Sequence, residues 1–173
     1  MNILAAFKPI KLFALDVDGV LTDGSLLVMD DGQMIRRMNI KDGYALQLAV
    51  KTGYHILVIS GGSSAAVKLR LEKLGVKNVF MQVLNKKEVL LQYMQEHGFQ
   101  KNEVLYMGDD MPDIGVMQMA GLACCPSDAV AEIRDISGYI SPIKGGEGCV
   151  RDIIEKVLKL NAHWHDDGST PSK

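Results

Sequence analysis

Short apolar runs alternate with amphipathic segments along most of the chain, and Gly, Asp, Ser or Asn stands at nearly every change. A short run that is apolar throughout is typical of a strand buried on both faces of a parallel sheet. Amphipathic segments between such runs are typical of helices that cover the sheet. The alternation therefore predicts an α/β fold with a doubly wound, mainly parallel sheet.

The apolar runs predict six strands, at residues 11–15, 55–59, 79–81, 104–107, 122–124 and 139–140. The amphipathic segments predict five helices, at residues 42–52, from 63 or 64 to 74, 86–97, about 112–120 and 149–160. Asp42 is expected to cap the first of these helices, and Gly53 to end it. In a parallel sheet of this kind, ligands bind at the carboxyl ends of the strands.

Residues 25–39 predict a β-hairpin, the only substantial insertion in the pattern. Its first arm, 26–29, is entirely apolar, its turn is Asp-Asp-Gly at 30–32, and its return arm is 34–38. We expect one domain over residues 1–160 and a polar, flexible tail over 161–173.

Composition excludes several classes of function. Lys plus Arg is 19 and Asp plus Glu is 21, so the formal charge of −2 gives no basic field for nucleic acid or anionic lipid. No apolar run is long enough to cross a membrane, and the first 11 residues lack the features of a signal peptide. The three cysteines give neither a disulfide framework nor a zinc spacing. We expect a reduced, cytoplasmic protein with no nucleic-acid or membrane partner.

Four polar features follow successive predicted strands, where a parallel sheet places its site. They are the segment Asp16–Thr22, the pair Ser60-Gly61, Lys86, and the segment Gly108–Asp113. Each is weak alone, because an Asp-x-Asp pair, a Ser-Gly turn or an acidic run often only caps a helix or forms a loop. Their joint occurrence at strand ends favours a functional site.

The chemistry of these side chains favours phosphoryl transfer. Carboxylates that converge repel one another unless a cation lies between them, and hard oxygen ligands suit Mg²⁺. One carboxylate can attack phosphorus to form an aspartyl-phosphate, and a second can protonate the leaving alkoxide and later activate water. A hydroxyl, a backbone N–H and an ammonium would hold the phosphoryl oxygens.

The four features resemble, in order, the motifs of the haloacid dehalogenase-like hydrolase superfamily. The matching residues are Asp16-x-Asp18-Gly-x-x-Thr22, Ser60, Lys86 and Gly108-Asp109-Asp110-x-x-Asp113. The resemblance covers roughly residues 11–160 and implies a Rossmann-like fold. It also implies that few residues remain for a cap domain, since 44 positions separate Asp16 from Ser60 and 26 separate Ser60 from Lys86.

Site roles are carried over from this resemblance. It implies that Asp16 is the nucleophile and Asp18 the general acid and base. It implies that Asp16, the main-chain carbonyl of Asp18, and Asp109 bind Mg²⁺. The other implied residues are Ser60, Gly61 and Lys86 for the phosphate, with Asp110 and Asp113 supporting the metal site.

Three further segments, 16–24, 39–44 and 145–148, resemble the capless 3-deoxy-D-manno-octulosonate 8-phosphate (KDO 8-phosphate) phosphatases. That resemblance implies a homotetramer in which subunits complete one another's sites, and an enzyme of lipopolysaccharide precursor synthesis. The implied substrate-binding residues are Asp18, Asn39, Ile40, Lys41, Asp42, Gly43 and Arg70. Gly62 and Gln47 stand where many members have Arg, so a nine-carbon 2-keto-3-deoxy acid 9-phosphate stays open as the substrate.

Two alternatives from other classes stay open. Phospho-accepting signalling receivers also use Asp, Ser/Thr and Lys around Mg²⁺, but their accepting Asp follows a later strand than the paired acids. Here Asp16 directly follows the first strand, and this order favours the hydrolase. An inactive family member would be favoured by the loss of a motif carboxylate, and none is lost.

Overall fold

The computed structural model describes residues 3–165 and 168–171. In this part of the chain the strands are β1 Leu12–Leu15, β2 Leu27–Val28, β3 Met34–Ile35, β4 His55–Ile59, β5 Asn78–Phe80, β6 Val104–Met107, β7 Leu122–Cys125 and β8 Tyr139–Ile140. The α-helices are α1 Ile3–Phe7, α2 Ile40–Lys51, α3 Ala65–Lys73, α4 Lys86–His97, α5 Ile114–Met117, α6 Ala131–Ile136 and α7 Cys149–Leu160.

Six strands form one parallel sheet in the order β5-β4-β1-β6-β7-β8. The central strand β1 pairs with β4 and β6, so that Leu12 lies opposite both His55 and Val104. All six strands therefore end at the same edge of the sheet, and the predicted α/β fold class is confirmed. The predicted hairpin is also confirmed, as a separate antiparallel pair of β2 and β3.

Alternate residues of the central strand enter two apolar cores, one on each face of the sheet. Phe13 and Leu15 belong to the core that α1, α2, α3 and α7 cover. Leu12 and Ala14 belong to the core that α4, α5 and α6 cover. Because side chains alternate along a strand, a strand covered on both faces must be apolar throughout, as β1 is. The sheet is doubly wound, as predicted.

The start of α2 differs from the prediction. Asn39, in extended conformation, is the N-cap residue, and its side chain accepts a hydrogen bond from the Lys41 N–H at 2.8 Å. Asp42 lies inside the first turn, and its Oδ1 accepts from the backbone N–H of Arg151 at 2.7 Å. The prediction that Asp42 caps α2 is wrong, because this carboxylate serves the first turn of α7 instead.

Two other regions depart from the predicted elements. The expected helix at 112–120 is a 3₁₀ turn, Met111–Asp113, followed by the short α5, because the Asp113 side chain turns inward. The helices α1 and α6 were not predicted. The other predicted strands and helices are confirmed to within a residue or two at each end.

The polar segment after α7 packs where the structure describes it. The Trp164 ring lies edge-on to the Tyr44 ring at 6.1 Å, and the guanidinium carbon of Arg151 lies 5.2 Å from the Trp164 ring centre. The His163 Nδ1 lies 2.9 Å from the Tyr54 hydroxyl. Residues 166, 167, 172 and 173 of the predicted tail lie outside the described residues, and the assignment of 1–160 to one domain stays a prediction.

Within residues 3–165 and 168–171, none of the helices combines the length and the apolar character that a membrane crossing requires.

Candidate active site

The four predicted motifs meet at the carboxyl edge of the sheet. Asp16 follows β1, Ser60 follows β4, Asp109 follows β6 by one residue, and Lys86 is the first residue of α4. They line a cavity of about 290 Å³. Its other lining residues include Asp18, Gly61, Gly62, Asp110 and Asp113.

Asp16 is fixed by the strands on either side of it. Its backbone N–H donates to the Met107 carbonyl of β6 at 3.0 Å, which continues the β1–β6 ladder by one residue. Its Oδ1 accepts from the Val17 N–H at 2.7 Å and lies 3.0 Å from the Lys86 Nζ. The buried carboxylate is thereby held in one orientation at the base of the cavity.

The Asp113 carboxylate accepts hydrogen bonds from three neighbouring groups of the site. Its Oδ1 accepts from the Lys86 Nζ at 2.7 Å and from the Tyr106 hydroxyl at 2.9 Å. Its Oδ2 accepts from the Asp109 backbone N–H at 3.2 Å. A Cβ at Gly108 would lie 2.5 Å from the Asp113 carboxyl carbon, so glycine is required there. The sequence analysis missed Tyr106, because a tyrosine inside an apolar strand gives no signal that distinguishes it from core.

Asp109 completes a cluster of three carboxylates. Oxygens of Asp16, Asp109 and Asp113 all lie within 4.8 Å of one another. Gly19, at φ +84°, makes room for Asp109, since a Cβ there would lie 1.9 Å from its Oδ2. The Asp109 Oδ1 is buried and accepts no hydrogen bond from the described residues. A buried carboxylate oxygen without a donor is a position where a cation fits.

The electrostatics of the cluster favour a divalent cation. Burial raises the pKa of the Asp16 carboxyl to about 7, and the Asp113 charge adds to the rise while Lys86 opposes it. Burial also raises the pKa of Asp109 to about 7, together with the charges of Asp16 and Asp113. Three carboxylates and the ammonium of Lys86 sum to a formal charge of −2. A divalent oxygen-seeking ion would balance that charge and restore full ionisation.

Asp18 lies at the outer side of the cavity and is paired with an arginine that the sequence analysis missed. Arg36, which follows β3 of the hairpin, donates from Nε to the Asp18 Oδ1 at 2.6 Å and from Nη2 to Oδ2 at 3.1 Å. Its neighbour Arg37 points elsewhere and pairs with Asp23. The sequence does contain a signal for this pair. Arg36 and Arg37 are adjacent on the predicted return arm, and adjacent side chains on a strand point to opposite sides, so one of them can face the site.

The phosphate-binding candidates after β4 form a tight turn. The buried Ser60 hydroxyl oxygen accepts from the Gly62 N–H at 3.1 Å, and the Gly62 carbonyl accepts from the Gln82 N–H at 3.0 Å. Ser60 and Gly61 both line the cavity that contains Asp16. The arrangement brings a hydroxyl and a loop backbone to the cavity that the Lys86 side chain also lines.

The glycine-rich segment at 145–148 supports the loop after β1. A Cβ at Gly145 would lie 1.9 Å from the Gly19 carbonyl oxygen, so the two backbones touch. The Gly146 N–H donates to the Val20 carbonyl at 2.9 Å, and the Gly145 N–H donates to the Asp128 Oδ1 at 2.9 Å. The segment fixes the loop that carries Asp16 and Asp18.

The remaining candidates lie apart from this cavity. In the described structure its lining does not include Asn39, Ile40, Lys41, Asp42, Gly43 or Arg70. Asn39 caps α2, Ile40 and Lys41 are exposed, and Asp42 is buried against α7. A Cβ at Gly43 would lie 2.9 Å from the Arg70 Nη2. Arg70 lines a second cavity of about 620 Å³ between the hairpin and α3.

Asp110 belongs to the outer wall of the first cavity. Its side chain accepts from the Met111 N–H at 2.7 Å and caps the 3₁₀ turn that carries Asp113. It thus acts on the site through the position of that turn.

Comparison with known proteins agrees with this geometry. The family model described as haloacid dehalogenase-like hydrolase matches residues 39–126. The chain is 29% identical over 157 residues to the 3-deoxy-D-manno-octulosonate 8-phosphate phosphatase KdsC of Escherichia coli (strain K12), covering 91% of this chain and 84% of that protein.

Two solved structures are similar over nearly the whole fold. A 3-deoxy-D-manno-octulosonate 8-phosphate phosphatase from Moraxella catarrhalis, in complex with a magnesium ion, a phosphate ion and a KDO molecule, is 33% identical with a TM-score of 0.88, covering 92% of this chain and 91% of that one. A probable YrbI family phosphatase from Pseudomonas syringae pv. phaseolica is 34% identical with a TM-score of 0.90, covering 94% and 92%.

Proposed function

The chain belongs to the haloacid dehalogenase-like hydrolases and, within them, to the KDO 8-phosphate phosphatase family, and on that premise we propose that it hydrolyses KDO 8-phosphate to KDO and inorganic phosphate. It is a phosphoric monoester hydrolase, as the motifs predicted, and not a signalling receiver. Bound KDO in the relative from Moraxella catarrhalis supports a 2-keto-3-deoxy sugar acid as the substrate. The reaction would serve lipopolysaccharide precursor synthesis in the cytoplasm.

One observation carries the proposal: three carboxylates and one lysine converge at the end of β1 with a net negative charge. The side chains of Asp16 and Asp109 and the main-chain carbonyl of Asp18 would hold Mg²⁺. The unpartnered Asp109 Oδ1 and the uncompensated charge support this choice. When bound, Mg²⁺ would neutralise charge on the phosphoryl oxygens and orient the phosphate for in-line attack.

In the first half-reaction an Asp16 oxygen attacks phosphorus, the new O–P bond forms, and the bond from phosphorus to the sugar oxygen breaks. Asp18 gives its proton to that leaving oxygen. The Lys86 ammonium, the Ser60 hydroxyl and the Gly61 N–H hold the other phosphoryl oxygens while charge shifts among them.

In the second half-reaction Asp18 takes a proton from a water molecule, which attacks the aspartyl-phosphate and releases inorganic phosphate. Asp113 contacts no reacting atom in this scheme. It holds Lys86 and the Asp109 backbone in position, and the Tyr106 hydroxyl holds Asp113 in turn.

The assay that tests this function measures phosphate release from a panel of sugar-acid phosphates. KDO 8-phosphate with Mg²⁺ is expected to give the highest kcat/KM, EDTA to abolish the activity, and added Mg²⁺ to restore it. A higher kcat/KM with a nine-carbon 2-keto-3-deoxy acid 9-phosphate would change the substrate, and Gly62 and Gln47 are the departures that make this arm necessary. Full activity in metal-free buffer would overturn the mechanism.

We further propose a homotetramer that assembles through the hairpin and needs no nucleic acid or membrane. Leu27 is 61% exposed, Val28 65% and Met34 55%, which is more apolar surface than a small isolated hairpin would present to water. Replacing Leu27 and Met29 with Asp should give folded monomers with a raised KM, measured by light scattering and steady-state kinetics. A monomeric wild-type protein with full activity would refute the assembly.

A further inference from the structure

The arginine that pairs with Asp18 lines the larger cavity, and Asp18 itself lines the smaller one. The Arg36 side chain is only 6% exposed although the adjacent strand β3 is exposed. Besides its two bonds to Asp18, its Nη1 donates to the Met34 carbonyl at 3.2 Å. Three contacts fix the plane of the guanidinium, so its remaining N–H groups point in fixed directions.

A donor count shows what those groups can bind. A guanidinium has five N–H donors, and Arg36 uses one on Nε, one on Nη2 and one on Nη1 within the described structure. One N–H on each terminal nitrogen is left. Two N–H groups, one on each terminal nitrogen of a guanidinium, match the two oxygens of a carboxylate.

The Arg36 guanidinium occupies space that a side chain at residue 62 could otherwise fill. The Gly62 backbone is outside the left-handed region, so its conformation does not require glycine. A Cβ there would instead lie 2.9 Å from the Asp18 Oδ2 and 3.1 Å from the Arg36 Nη2. A side chain at residue 62 would therefore have to displace the ends of the Asp18 and Arg36 side chains.

The cavities on either side of Arg36 differ in chemistry. The smaller one contains Asp16, Ser60 and Lys86, the groups that would hold a phosphate. The larger one, about 620 Å³, lies between the hairpin and α3 and is lined by Arg36, Arg70, Ser63 and Ser64 among others. A substrate with a phosphate at one end and a carboxylate at the other would place its carboxylate on the side of Arg36.

We propose that Arg36 is the specificity-determining residue for the acid group of the substrate, binding its carboxylate with one edge of the guanidinium while the other edge orients Asp18. It takes the place of a cation at residue 62. This inference rests on the proposed function, because a phosphate ester without a carboxylate would not need it.

The test compares KDO 8-phosphate with its carboxyl methyl ester, which differs in lacking the negative charge. Wild-type protein should prefer the acid in kcat/KM by about 10- to 100-fold, the range of a charge-assisted hydrogen bond. Arg36→Gln should lose that preference through a raised KM for the acid, and kcat should fall equally on both compounds because Asp18 loses its partner. Arg37→Gln is the matched control, since Arg37 is 71% exposed and pairs with Asp23.

A second variant tests whether Arg36 substitutes for a cation at residue 62. Gly62→Arg in the Arg36→Gln background should recover the preference for the acid, whereas Gly62→Arg alone should weaken activity because it collides with the existing pair. Thermal unfolding establishes that each variant is folded. A double variant that recovers nothing would overturn the claim that Arg36 replaces a cation at residue 62.

The possible results distinguish failure of the proposed function from failure of the proposed role of Arg36. A wild-type protein that releases no phosphate from KDO 8-phosphate would contradict the proposed function. A wild-type protein that prefers the acid, with an Arg36→Gln variant that keeps the same preference, would contradict only the role of Arg36. Equal losses of kcat on acid and ester with unchanged KM values would reduce Arg36 to a positioning residue for Asp18.

Discussion

Asp16 and Asp18 are two residues apart on one loop, but they belong to regions built in different ways. We call Asp16, Lys86, Tyr106, Asp109 and Asp113 the floor of the site, and Asp18 with Arg36 its rim. The floor is attached to β1, β6 and α4, and its side chains are mostly buried and bonded to one another. The rim has an Asp18 side chain that is 37% exposed and a partner from a two-stranded hairpin.

The floor holds the nucleophile and the proposed metal and phosphate site, whereas the rim combines proton transfer by Asp18 with the proposed recognition by Arg36. Groups on a covered parallel sheet can hold a charge at a fixed position, because every neighbour is itself packed. A hairpin outside that sheet can change its side chains without disturbing the core, so it suits the part of the site that distinguishes substrates. Each of the following variants acts on the floor, on the rim, or on a buried carboxylate outside both.

The largest effect is expected at the floor. Asp16→Asn should lower kcat by about 10⁴-fold or more, because an amide cannot serve as the nucleophile. The variant should remain folded, since it replaces a buried carboxyl by a group of the same shape. Phosphate release and trapping of labelled phospho-enzyme measure the two parts of this expectation. A phospho-enzyme that still forms would remove Asp16 from its assigned role.

At the rim, Asp18→Asn should lower kcat by about 10²–10⁴-fold, the usual contribution of general acid–base catalysis. The nucleophile remains, so a phospho-enzyme should still form, slowly. Single-turnover kinetics with a labelled substrate measures formation and hydrolysis separately. A rate near that of the wild-type protein in both steps would refute a proton-transfer role for Asp18.

Sequence alone predicted the floor better than the rim. Asp16 and Asp109 of the floor, and Ser60 beside them, follow strands that are almost entirely apolar, and parallel strands bring such positions to one edge whatever the details of the loops. Lys86 opens a helix whose start and end were both predicted, the end at Gly98 with φ +72°. Local patterns decide these positions, so no long-range contact had to be known.

The Arg36–Asp18 pairing of the rim could not be predicted, because it depends on where a hairpin folds back. Nothing in the local pattern relates Arg36 to Asp18, which is 18 residues earlier. The wrong expectation for Asp42 has the same origin. An acid in a first turn is a reasonable cap for its own helix, but Asn39 competes successfully and Asp42 contacts α7, more than 100 residues later. Such contacts depend on packing between distant segments.

Stability provides a second contrast between floor and rim. In metal-free protein at pH 8, Lys86→Met should lower the free energy of unfolding by about 3–5 kcal/mol, because it leaves buried Asp16 and Asp113 without their counter-ion. Arg36→Gln should lower it by less than about 1 kcal/mol, since Asp18 can then be solvated. Urea unfolding measures both. Equal losses would show that the rim is as rigidly built as the floor.

The last prediction concerns Asp42, a buried carboxyl outside both the floor and the rim. Burial raises the pKa of Asp42 to about 6, from 3.8, although the backbone N–H groups at the start of α7 oppose the rise.

A carboxyl with a raised folded-state pKa adds stability that is fully present below 3.8 and is lost as the pH rises to about 6. Relative to wild type, Asp42→Asn should therefore gain about 2.4 kcal/mol in unfolding free energy between pH 4 and pH 7.5. Urea unfolding in EDTA measures this gain, because the acidic cluster of the floor is the same in both proteins, and Asp135→Asn, at an exposed position, is the matched control. A gain that is absent for Asp42→Asn would mean that the α7 N–H groups stabilise the buried charge fully.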